Sequence, residues 1–99
     1  MARDESESKK AFSKAVKLAF GKVLRGARTK GKGKKVTQEE LAYESGYSRT
    51  YIYKIEIGEY QPSLTALILL ARQLDVSPVA LLKATLSELE NNNSKQGSK

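Results

Sequence analysis

The sequence predicts an all-α domain of five helices whose first helix extends toward the N-terminus, and three observations carry that prediction. Apolar residues recur at three- and four-residue steps along most of the chain. Ser or Thr stands just before four of the periodic runs, at Thr37, Ser48, Ser63 and Ser77, where a hydroxyl can cap free helix N–H groups. Glycines at Gly46 and Gly58 follow the ends of two of those runs, the position at which a helix most often terminates.

Residues 1–8 (MARDESES) are polar and are expected to be a frayed, flexible N-terminus, with Ser6 or Ser8 available as caps. Helix 1 is expected from Lys9 to Arg28, because Phe12, Val16, Ala19, Phe20, Val23, Leu24 and Ala27 fall on one helical face. Gly21 and Gly26 cost it about 1 kcal/mol each relative to alanine, which leaves a break near Gly21 open. Thr29 to Lys35 (TKGKGKK) has two glycines and four lysines and reads as a loop. Helix 2, Thr37 to Ser45, starts with a capping box of Thr37 and Glu40, and Glu39 and Glu40 suit its positive end. Gly46 supplies the positive φ that a sharp turn needs. Helix 3, Ser48 to Ile57, turns Ile52 and Ile55 inward and is stopped by Gly58; Glu59 to Pro62 is a connector. In helix 4, Leu64, Leu67, Ile68, Leu69, Leu70, Ala71 and Leu74 cover most of the circumference, so it is expected at the centre of the core. Helix 5 begins with Ser77 and Pro78 and carries Val79, Leu82, Leu86 and Leu89 at heptad-like spacing. The closing NNNSKQGSK, residues 91–99, is expected to be disordered. Residues 9–90 then form one domain, which is near the small end of what folds without staples.

Composition narrows the chemistry. The chain has no cysteine and no histidine, which excludes disulfides, thiolate or imidazole metal sites and Cys-His or Ser-His catalysis. No apolar run approaches about 18 residues and no signal-peptide pattern opens the chain, so a cytoplasmic protein with no membrane partner is expected. The net charge is +7, and from Lys9 to Lys35 there are eleven Lys or Arg and no acidic residue. A field this one-sided attracts polyanions, of which nucleic acid is the commonest in a cytoplasm.

Helices 2 and 3, with small Ala42 and Gly46 between larger apolar residues, have the pattern of a helix-turn-helix spanning about residues 37–57. In that docking geometry the N-terminal end of the second helix enters the major groove of double-stranded DNA and the first lies across the phosphates. Arg49 and Thr50 are therefore the base-reading candidates, with Lys54 one turn below. The Arg49 guanidinium can bond O6 and N7 of a guanine together. Gln38 and Ser48 stand at helix N-termini and, with Tyr53, are candidates for the DNA backbone. Lys30, Lys32, Lys34 and Lys35 are candidates to engage phosphate as a loop cluster, or else simply a solvated loop. Tyr51 is expected to pack against a neighbouring helix, with DNA contact as the alternative, and Tyr43, Tyr47 and Tyr60 to be wedge or rim residues. One such helix covers about half a site, so a homodimer is expected, with Leu82, Leu86 and Leu89 as the candidate interface, or else only capping the core of the monomer.

The region from about Phe20 to Lys83 resembles the lambda repressor and Cro (Xre) family of DNA-binding domains. The matching segments are Leu24-Arg25-Gly26-Ala27-Arg28, Thr37 to Ala42, Ser48 to Ile52, Ile55-Glu56 with Gly58-Glu59, Pro62-Ser63-Leu64 and Leu74 to Ser77, in the right order. Leu41-Ala42-Tyr43 with Arg49-Thr50-Tyr51-Ile52 is most similar to the small controller proteins of restriction-modification systems, which are homodimeric autoregulators. The resemblance implies a compact lambda-repressor-like fold, base reading at Lys54, and a partly buried ion pair between Arg28 and Glu56 that holds helix 3. Two departures stand out: Ser45 replaces a buried aliphatic residue, and the loop after helix 1 is longer than usual.

The function expected is a sequence-specific transcriptional regulator acting as a homodimer, with no cofactor, no metal and no sensor domain, and with RNA polymerase or another protein as a further partner. The alternative is a protein-interaction module, such as an antitoxin or bridging factor, that uses helix 5. An enzyme is not expected: Glu39, Glu40 and Glu44 could be drawn as a metal-binding cluster, but charged residues on a solvated helix face are ordinary.

Overall fold

The computed structural model describes residues 2–31 and 35–97, with side chains described from residue 7 to residue 91 of these. Five helices and no strand are present among the described residues: α1 (Ala2–Thr29), α2 (Gln38–Ser45), α3 (Arg49–Glu56), α4 (Leu64–Gln73) and α5 (Pro78–Gly97). The caps at Thr37, Ser48 and Ser63 each accept a backbone N–H from the third helical residue, and Ser77 accepts those of Val79 and Ala80.

Two helices are longer than the periodic apolar patterns that define them. α1 begins at Ala2, ahead of Lys9, and α5 continues through the Asn-rich stretch to Gly97. Once a packed segment has nucleated a helix, each further residue adds a hydrogen bond at little cost, so polar flanks without Gly or Pro propagate it. Ala2 to Ser8 contains neither, and its Asp4, Glu5 and Glu7 suit a helix N-terminus; Gly97 is the first glycine after Pro78.

α1 also runs unbroken through Gly21. A Cβ at Gly21 would lie 2.5 Å from the Glu56 carbonyl oxygen and 2.6 Å from that of Ile55, so the missing side chain is what lets α1 touch the end of α3. That contact gives the glycine a reason that helix propensity alone lacks.

α1 packs on α5 and α3, α2 on α3, and α4 on both α2 and α5. The core joins Leu24, Leu41, Ile52, Ile55, Leu70 and Leu74, all fully buried, to Phe20, Ala42, Leu67, Ala71 and Leu81. Each large side chain taken out of water here contributes about 1.5–3 kcal/mol. Three residues placed on core stripes by periodicity are exposed instead: Phe12, Leu64 and Val79. Every described side chain from Glu7 to Phe12 is exposed, because the N-terminal part of α1 outruns the helices it packs on. Leu64 opens α4 and Val79 lies in the first turn of α5, where the flanking helices no longer cover them.

Candidate nucleic-acid interface

α2 starts with a reciprocal cap: the Glu40 N–H donates to the Thr37 hydroxyl (3.0 Å), and the Thr37 N–H donates to the Glu40 carboxylate (2.9 Å). The carboxylate of Glu40 is thereby part of the cap. Leu41 and Ala42 are buried against α3 and α4. At the other end Gly46 has φ 83°, a left-handed conformation that favours glycine, and its N–H donates to the Ala42 carbonyl at 2.9 Å. Ser45 is buried in place of an aliphatic residue, and its hydroxyl donates to the Leu41 carbonyl at 2.6 Å, so no polar group is stranded.

The turn places Ser48 as the cap of α3, its oxygen accepting from the Tyr51 N–H at 3.0 Å. Ile52 and Ile55 are fully buried and lock one face of the helix into the core. The opposite face carries Arg49, Thr50 and Tyr53 outward, all exposed. Lys54 is half-buried, with its ammonium 3.7 Å from Glu59 and 5.5 Å above the Tyr60 ring. Tyr51 is also half-buried, stacked on Tyr47 at 4.7 Å and tilted toward Tyr60 at 6.0 Å. Burial pushes its phenol pKa up, with Tyr47 adding to the shift and a hydrogen bond to the Ser63 backbone opposing it. Tyr43 projects into solvent and makes no part of this aromatic cluster.

The C-terminal end of α3 is held to α1 by a bidentate ion pair. Arg28 Nε donates to Glu56 Oε2 at 2.6 Å and Nη2 to Oε1 at 2.9 Å, while Nη1 donates to the Val36 carbonyl at 3.1 Å. The side chains are 11% and 3% exposed. Gln38, at the start of α2, donates to Glu56 Oε1 at 3.0 Å, so one carboxylate ties together three helices. Among the described residues no buried side-chain nitrogen or oxygen lacks a partner.

Around this network the structure gathers Arg25, Arg28, Gln38, Arg49 and Tyr53 along one cleft between α1, α2 and α3. Lys30 and Lys35 are exposed at the two ends of the loop that joins α1 to α2; Lys32 and Lys34 lie outside the described residues. Arg25 is the residue to which periodicity and motif spacing gave no role. The signal was present in its placement three residues before Arg28, which puts both on one side of α1. A second surface lies on α5, where Leu82 and Leu86 are exposed and Leu89 is half-buried. An apolar groove beside them is lined by Val16, Phe20, Pro62, Leu64, Leu67 and Leu82.

Residues 32–81 match the helix-turn-helix family. The chain is 38% identical over 69 residues to an uncharacterized HTH-type transcriptional regulator of Sinorhizobium fredii, y4dJ, a match covering 70% of this chain and 84% of the other. Among solved structures it is similar to the clp gene regulator ClgR from Corynebacterium glutamicum, with a TM-score of 0.75 at 24% identity over 83% of this chain and 84% of that one. That likeness concerns the fold alone. It is also similar to the restriction-modification controller protein C.AhdI from Aeromonas hydrophila, with a TM-score of 0.59 at 37% identity over 66% of this chain and 94% of that one.

Proposed function

Because the chain belongs to the helix-turn-helix family of transcriptional regulators, we propose that it reads a specific double-stranded DNA sequence as a homodimer, with α3 in the major groove. The observation that carries this reading is the division of α3. One face is immobilised by Ile52, Ile55 and the Arg28–Glu56 pair, while Arg49 and Thr50 in its first turn are exposed and unobstructed. A reader of base edges needs that combination, since side chains discriminate bases only when the backbone that carries them is fixed.

Arg49 takes a guanine through O6 and N7, and Thr50 offers a hydroxyl to a base or its methyl to thymine. Lys54 reaches a base by leaving its contact with Glu59, a surface pair worth little. Ser48, Gln38 and Tyr53 hold the backbone, with Lys30 and Lys35 nearby; Lys32 and Lys34 join them on sequence grounds. The dimer forms through the α5 face that exposes Leu82 and Leu86, with Leu89 beside them, and sets the two α3 helices about 34 Å apart, one turn of DNA. Residues 9–90 suffice for this, no cofactor or metal takes part, and the protein acts in the cytoplasm on DNA and on any partner it recruits, RNA polymerase included.

A second reading, a protein-interaction module, is favoured by the apolar groove beside Leu64 and Leu82. Titration of a labelled duplex library with the full chain, alongside sedimentation, separates the two. Saturation at two protomers per duplex supports the regulator. A monomer in solution that binds no duplex would leave only the interaction module.

A further inference from the structure

We propose that Arg25 of α1 is a DNA anchor in its own right, taking a phosphate of the duplex backbone beside the groove that α3 enters. The inference rests on the DNA-binding reading and adds to it an element, α1, that helix-turn-helix docking does not itself require.

The geometry starts from Gly21 and Arg28, which fix α1 against the C-terminal end of α3 through Ile55 and Glu56. Arg25 lies between them on the same side of α1, one turn from each. Across the cleft, Arg49, Tyr53 and Ile57 follow one another at four-residue steps along the opposite wall.

Charge decides what the cleft takes. Arg28 is matched by Glu56, the single carboxylate among the described residues lining this opening, so the net charge these residues give it comes from Arg25 and Arg49. Glu39 lies at the neighbouring opening, which also includes Arg49. Among the described residues neither Arg25 nor Arg49 is ion-paired. With Arg49 turned to a base edge, Arg25 is the cation of this cleft left for the backbone beside the groove. A phosphodiester oxygen pair fits the fork of a guanidinium. α1 meets α3 at its C-terminal end, away from the first turn that enters the groove, which assigns Arg25 to the backbone rather than to a base edge.

The test uses the full chain, a selected duplex and a scrambled duplex of the same length, each titrated over a range of salt. R25A should weaken both duplexes alike, by about tenfold at moderate salt for each protomer bound, as loss of one charge-assisted hydrogen bond per protomer predicts. It should also lower the log–log salt slope by about 0.9 for each protomer bound, while R25K keeps the slope. Its thermal midpoint should match wild type, since the side chain is exposed. Wild-type affinity and slope in R25A would overturn the proposal, and so would a loss confined to variants of one base pair. If wild type binds neither duplex, the DNA-binding reading fails as well; if wild type binds and R25A matches it, only the role of Arg25 falls.

Discussion

Glu56 illustrates how one side chain can set the geometry of a reading helix. Its two carboxylate oxygens accept from Arg28 twice and from Gln38 once, which joins α1 and α2 to the last residue of α3. Replacing it leaves the Arg28 charge buried with only the Val36 carbonyl for company. Glu56→Gln should therefore destabilise the fold by about 3 kcal/mol, the cost of removing one partner of a buried pair, measured as a shift in urea midpoint at constant slope. An unchanged midpoint would mean that the pair holds nothing. Tyr51 makes a second residue-scale prediction. Its raised pKa favours the neutral phenol in the folded state. The linked stability is present below the ordinary tyrosine value near 10.0 and is lost as pH rises from there through the folded pKa. Tyr51→Phe should flatten the alkaline limb of a stability–pH curve, and a limb identical to wild type would contradict the assignment.

At the scale of elements, α2 and α3 were legible in the sequence because their determinants are local: a capping box, a Ser cap, a glycine turn and two inward isoleucines within a few residues of each other. The start of α1 and the close of α5 were not, since no residue type marks where a helix begins or stops when neither Gly nor Pro intervenes. The exposure of Phe12 and Leu64 was hidden for a different reason. Periodicity identifies a face but not whether a neighbouring helix reaches far enough to cover it. Gly21 shows the same limit from the other side, where its meaning depends on α3 rather than on α1. The two glycines of α1 accordingly separate in a prediction. A Cβ at Gly26 would meet nothing within 4 Å, so Gly26→Ala should raise stability by about 1 kcal/mol through helix propensity. Gly21→Ala gains the same propensity but drives a methyl into two carbonyl oxygens, and overpacking of this kind costs about 1–3 kcal/mol. Thermal melts of the two variants should move in opposite directions; parallel shifts would refute the close crossing of α1 and α3.

On the scale of the whole molecule, the fold divides its surface between a cationic cleft and an apolar face. The cleft gathers Arg25, Gln38, Arg49 and Tyr53 from three helices, and of these Arg25 could be assigned only once α1 and α3 were placed together. The apolar face exposes Leu64, Leu82 and Leu86, with Leu86 60% exposed in the single chain. A residue that open can be changed without disturbing the core. Leu86→Lys should keep the melting temperature of an isolated protomer while shifting sedimentation from dimer to monomer, and should weaken binding to a two-half-site duplex far more than to a single half-site. A Leu86→Lys chain that sediments as a dimer would move the interface elsewhere.

The most direct measurement of the central claim is selection of bound duplexes from a randomised library by wild type and by Arg49→Ala, at two salt concentrations. Wild type should enrich a palindromic site with half-sites one helical turn apart, and Arg49→Ala should lose preference at one guanine per half-site, by about 1–3 kcal/mol, with the remaining positions intact. Salt-sensitive binding by wild type with no enriched sequence would contradict it, and would reduce the cleft to a polyanion surface.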